Sequence, residues 1–154
     1  MRHLGHGVLS LGAGAIELRL LALHDGLARE LERHRPELVV VEDVFVKHAK
    51  SALVLGQARG IALLAAARAG VAVRAFPPAT IKQLVTGSGR AEKGQVGRMV
   101  SMLLGVRIEE RADASDALAA AICGALNAGV PAVAALPRSL QTEEVLRLLK
   151  ARRR

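Results

Sequence analysis

Leu38-Val39-Val40-Val41 runs straight into Glu42-Asp43, and Pro36 stands just ahead of it. So dense an apolar, β-branched run needs burial on both faces, as the strands of parallel sheets do, and this obliges the chain to layer helices around it. The flanking patterns supply them. From about Glu17 to His34, Leu20, Leu23, Leu27 and Leu31 recur three and four residues apart with charges between them, which predicts an amphipathic helix stopped by Pro36. Ser51 to Ala69 predicts an apolar helix capped by Gly70, and Val71 to Phe76 a second strand. Strand, helix and strand in that order predict a parallel crossover unit. Pro77-Pro78 opens a short helix through Leu84, Gly87-Ser88-Gly89 a flexible connection, and Ala91–Leu104 and Ala112–Asn127 two more helices. Ahead of all of these, Val8-Leu9-Ser10-Leu11 and Ala15-Ile16 predict one strand running into the first helix. The expected product is a single α/β domain over residues 1–130, followed by a basic tail over 131–154 with a last helix from Glu143.

Composition narrows the partner. With 154 residues, 51% of them hydrophobic, the chain can fill one real core, and a net charge of +8 favours a polyanion. Phe45 and Phe76 are the two aromatics, too few for the stacking platforms of single-strand binders. The lone Cys123 excludes an internal disulfide and fits a reducing cytoplasm. No signal-peptide stretch opens the chain, since glycines, Glu17 and Arg19 interrupt it. The longest uncharged window, Ala117 to Pro137, is broken by Asn127, Gly129 and Pro131, which suits a buried helix and loop better than a membrane span.

Chemistry concentrates in two acidic stretches. Glu42 follows a buried strand, and ligands of open α/β sheets bind beyond the carboxyl ends of strands. Side chains alternate along a strand, so only one of Glu42 and Asp43 can face a given site. Asp113 and Asp116 stand one helical turn apart, which puts both on one helix face with Cβ atoms about 5–6 Å apart. Taken alone, Glu42 is explained as well by a solvated strand end, and Asp113 and Asp116 by acids that favour a helix N-terminus. Together they suit Mg²⁺, a hard ion held by a few carboxylates and substrate phosphate oxygens, and two such ions clamp the attacking and leaving oxygens of a phosphodiester.

Other motifs carry less. Gly87 to Gly94 has its lysine before the last glycine and no hydroxyl residue after it, which excludes a Walker site. Gly56 and Gly60 have the spacing for close helix contact, expected here as tight internal packing. The five histidines show no ligand spacing with the cysteine, against structural zinc. Arg74, Lys82, Arg90, Lys93 and Arg98 against the single Glu92 make the best phosphate-contact segment, with an ordinary solvated face as the alternative.

Five separated motifs, in order, resemble RuvC, the Holliday junction resolvase family of the RNase H-like superfamily. They are Val41-Glu42-Asp43-Val44-Phe45, Ser51-Ala52-Leu53 with Leu55 to Gly60, Ile81-Lys82-Gln83, Ala91-Glu92-Lys93 with Gln95-Val96, and Ala112 to Ala119. The resemblance implies a mixed sheet flanked by helices, and a homodimer that nicks two strands of a four-way DNA junction with Mg²⁺ or Mn²⁺. It implies that Glu42, Asp113 and Asp116 are metal ligands, that Lys82 and Lys93 meet DNA or transition-state charge, and that Phe45 engages a base near the crossover. Arg90 joins them as a DNA contact from the basic segment. The implied partners are the RuvA-RuvB branch-migration proteins.

The sequence departs from the family at its start. Family members open with a strand carrying Gly-Ile-Asp-Pro-Gly, whose aspartate is the first metal ligand, and a partner strand follows. Those roughly 20 residues, two strands of about 5–6 with their connections, have no counterpart here, and Glu17 and Asp25 lie in the following helix. The expectation is that the native protein is longer, that this chain exposes an apolar strand edge, and that it cleaves weakly or not at all. A noncatalytic junction-binding protein and an RNase H-like nuclease acting on RNA remain alternative readings.

Overall fold

The computed structural model describes residues 1–43, 49–108 and 112–127. Five helices and two strands follow in the order α1 (Ile16–His34), β1 (Leu38–Glu42), α2 (Ala49–Ala69), β2 (Ala72–Phe76), α3 (Pro78–Thr86), α4 (Lys93–Leu104) and α5 (Ala112–Leu126). The strands are parallel and pair Leu38 with Ala72 through Glu42 with Phe76, so the valine run forms the predicted crossover unit. The parallel α/β arrangement is the one its sequence patterns require.

Each strand face meets a different helical layer. Leu38 and Val40 point at α5, where a Cβ added to Gly124 would lie 2.3 Å from Val40 Cγ2. A β-branched side chain does not yield easily, so α5 can sit this close to β1 only through a glycine. The core lies on this side: Ile81, Val85, Val96, Val100, Leu118, Ile122 and Cys123 are buried together, with Val40 and Phe76 packed against them. The opposite face is covered by α2, backed in turn by α1.

One expectation changes. Val8-Leu9-Ser10-Leu11 forms no strand; this segment lies over α1, with Leu9 against Gly26, and Gly12 at φ 66° turns the chain into the helix. Glycines on both sides leave four residues too short a run to hold a ladder without a neighbour. The sheet among the described residues has two strands, both half-buried, and β1 is bonded to β2 alone. Its other edge opens on a groove between α2 and α5. Phe45 and the tail over residues 131–154 lie outside the described residues.

Candidate functional site

That groove, of about 560 Å³, is where the two acidic stretches meet. Glu42 and Asp43 line it from the end of β1, Asp113 and Asp116 from the first turns of α5, and Leu55, Ala58 and Arg59 from α2. Alternation along β1 gives Glu42 the same face as Val40, toward α5, and gives Asp43 the face toward α2. There Arg59 Nη2 bonds Asp43 Oδ1 at 3.0 Å. One acid of the pair is therefore neutralised on the α2 side while Glu42 is left to the α5 side.

Charges around Glu42 identify its neighbours. Desolvation by the groove walls raises its pKa above the ordinary glutamate value; the negative charge of Asp116 raises it further, and Lys93 and Lys82 oppose the rise. Lys93 Nζ lies 3.6 Å from Asp116 Oδ2. A lysine as the first residue of α4 faces the positive end of the helix dipole, an unfavourable place for a cation unless an acid or a phosphate compensates it. Its position is set by the turn before it, where Gln95 Oε1 accepts the Glu92 N–H at 3.0 Å. Lys82 is set from α3, whose end is tied to the following loop: Gln83 donates to Gly87 O at 2.8 Å and accepts from Gly89 N–H at 2.9 Å.

The structure thus collects Glu42, Asp113 and Asp116 around one groove and puts Lys82 and Lys93 within electrostatic reach of Glu42. Arg90 stays exposed on the α3–α4 loop, outside that set. Arg74 leaves the phosphate-contact segment altogether: it donates to the carbonyl of Asn127 at the end of α5, where a cation complements the helix dipole. Gly56 and Gly60 also differ from expectation, because nothing lies within 4 Å of a Cβ built on either, so their spacing serves no internal packing.

Hard oxygen donors suit Mg²⁺, and the repulsion between Glu42 and Asp116 is what a bound cation relieves. Even so, among the described residues no three carboxylate, histidine or cysteine side chains converge as a metal-holding group. Asp116 is paired with Lys93 instead. Arg59 was not among the expected site residues. Its signal was present: it and Arg68 are the only charges from Ser51 to Ala69, and a lone charge inside an apolar helix needs a partner.

Comparison with known proteins decides the family. The chain matches the sequence family described as crossover junction endodeoxyribonuclease RuvC over residues 1–124. It belongs to the RuvC family. A RuvC from Halorhodospira halophila is 51% identical over 124 residues, 80% of this chain and 74% of that one. Another, from Myxococcus xanthus, is 49% identical over 142 residues, covering 89% and 73%. In three dimensions the chain is similar to T. thermophilus RuvC in complex with a Holliday junction substrate, with a TM-score of 0.76 and 35% identity across 82% of this chain and 79% of that one. The RuvC match shows the RNase H-like α/β fold to which the parallel pair and its two helical layers belong.

Proposed function

We propose that this chain is a structure-selective endonuclease that resolves four-way DNA junctions, with Glu42, Asp113 and Asp116 as the acids that hold Mg²⁺, or Mn²⁺ in its place. The observation that carries the reading is the meeting of both acidic stretches on one groove, with Lys82 and Lys93 in electrostatic reach. Its support from relatives is that the T. thermophilus RuvC bound to a Holliday junction substrate is among the structures it resembles. Two divalent ions, when bound, would activate water and stabilise the leaving oxygen of a phosphodiester. The chain's own part is to supply the carboxylates, to set Lys93 and Lys82 beside them as phosphate contacts, and to orient the DNA through Arg90 and Phe45.

The expected setting is the cytoplasm, as a homodimer working with RuvA and RuvB. One face supports the dimer. On α2, Leu53 and Leu64 are 65% and 49% exposed and lie on the same side as the open Gly56 and Gly60. By length and composition Ser51–Ala69 is also apolar enough to cross a membrane. Arg59, bonded at its middle to Asp43, and the packing of α2 on α1 favour a protein partner for this face instead.

We infer too that the chain by itself cleaves slowly, because Lys93, 3.6 Å from Asp116, competes with a metal ion for that carboxylate. A synthetic four-way junction incubated with Mn²⁺ tests both. Paired nicks, slow with this chain and abolished by Asp116→Asn, are expected; an unaltered rate in Asp116→Asn would remove the metal assignment. Tight junction binding with no nicking under any metal would favour the noncatalytic reading.

A further inference from the structure

Two adjacent acids end β1, and only one of them can face α5. What decides which is the hold on the strand end. Asp43 N–H donates to Phe76 O at 2.9 Å, which carries the ladder one residue past Glu42. Arg59 then reaches across from α2 with both arms of its guanidinium: Nη1 donates to the Glu42 carbonyl oxygen at 3.2 Å, and Nη2 bonds Asp43 Oδ1 at 3.0 Å. One planar group thus fixes the backbone of Glu42 and the side chain of Asp43 together.

A slip of one residue, or a twist of the strand end, would exchange the faces of the two acids. Asp43 would then point at Asp116 and Lys93, with a side chain one methylene shorter, while Glu42 pointed at α2. Along the unpaired edge of β1, the ladder to β2 is the sole backbone restraint among the described residues. The Arg59 fork adds a second restraint from the other side, at the residue where face matters most.

We propose that Arg59 is a positioning residue: its fork on Glu42 O and Asp43 Oδ1 sets the register of the strand end, so that Glu42 and not Asp43 is presented to the metal site. It touches neither metal nor DNA in this role, and Asp43 serves as its anchor. The proposal rests on the reading of Glu42 as a metal ligand and deepens it.

Mn²⁺ binding to the full chain, followed by the electron paramagnetic resonance of free Mn²⁺, tests it without any need for cleavage. Arg59→Gln is expected to weaken Mn²⁺ on the order of tenfold, as loss of groups that orient metal ligands does. Arg59→Lys should recover only part of this, since one ammonium cannot reproduce a planar fork on two acceptors. Asp43→Asn should weaken Mn²⁺ in the same sense, and combined with Arg59→Gln it should add little, because both remove one device. Binding to a four-way junction in EDTA should be unchanged in all three. If Glu42→Gln weakens Mn²⁺ but Arg59→Gln and Asp43→Asn do not, the positioning role is wrong while the site stands. If Glu42→Gln itself leaves Mn²⁺ binding intact, the site reading fails first. Junction affinity lost in EDTA with Mn²⁺ affinity kept would make Arg59 a phosphate contact and overturn the proposal.

Discussion

At the scale of single residues, Gly124 and Glu42 make opposite demands. Gly124 exists for packing: a methyl group there would meet Val40 Cγ2 at 2.3 Å, deep between α5 and β1. Gly124→Ala is expected to destabilise the protein by about 1–3 kcal/mol, the usual cost of overpacking, measured by urea unfolding. Glu42 exists for charge. With its pKa raised in the fold, first by desolvation and then by Asp116, the folded state binds its proton more tightly than the unfolded chain does. The contribution of Glu42 to stability is therefore full below the ordinary glutamate value and lost as pH rises through the raised one. Glu42→Gln, neutral throughout, should melt above the unaltered protein at pH 7 in metal-free buffer, and that advantage should shrink steadily as the pH is lowered toward 4 (about the unperturbed glutamate value). An advantage that stays constant with pH would mean that charge is not its cause. The place of Glu42 on the groove was legible in the sequence because an acid directly follows the valine run, whereas the demand on Gly124 depends on which helix lands on Val40, a tertiary fact that no local pattern encodes.

Among the elements, periodicity sufficed wherever a segment's own apolar face decides its state. The first helix, both parallel strands and the apolar second helix fall where leucine spacing, β-branching, Pro36 and Gly70 put them, within a residue or two at each end. The failure at Val8-Leu9-Ser10-Leu11 has the converse cause, since a short strand is made by its neighbour and none of the described residues offers one there. The start of α4 was expected at Ala91 and falls at Lys93, because Glu92 and Gln95 cap the helix at that point. That shift of two residues makes Lys93 the first residue of the helix, and with it a cation poised beside Asp116. The pair is largely exposed, so Lys93→Ala should change stability by less than about 1 kcal/mol. Its effect should appear on DNA instead: junction affinity falls, and the slope of log affinity against log salt drops by about one unit, one phosphate contact's worth. An unchanged slope with slower cleavage would give Lys93 to transition-state charge alone.

Over the whole molecule, burial is uneven. The layer of α3, α4 and α5 holds most of the buried side chains, while α2 and α1 on the other face of the sheet leave Leu18, Leu21, Leu53, Val54 and Leu64 open. A monomer stable by itself rarely leaves so much apolar surface together on one helical layer. Residues that serve the fold would be missed on truncation, yet Leu53 and Leu64 touch no core cluster, and Gly56 and Gly60 leave the helix backbone accessible between them. Such a surface would let a second helix approach closely, and a second copy of the same face would satisfy it by two-fold symmetry. Leu53→Glu with Leu64→Glu is therefore expected to yield a species of 16.2 kDa by light scattering, where the unaltered chain is expected at twice that mass. Its melting temperature at high dilution should be little lower than that of the unaltered chain, since Leu53 is mostly exposed and Leu64 about half exposed without a partner. Junction cleavage supplies the functional readout. Two sites held by one dimer should nick both strands within the lifetime of a complex, whereas separated monomers should leave singly nicked junctions in excess. If the double variant still runs at twice the mass, the dimer uses another face, and the open side of α2 belongs to some other partner.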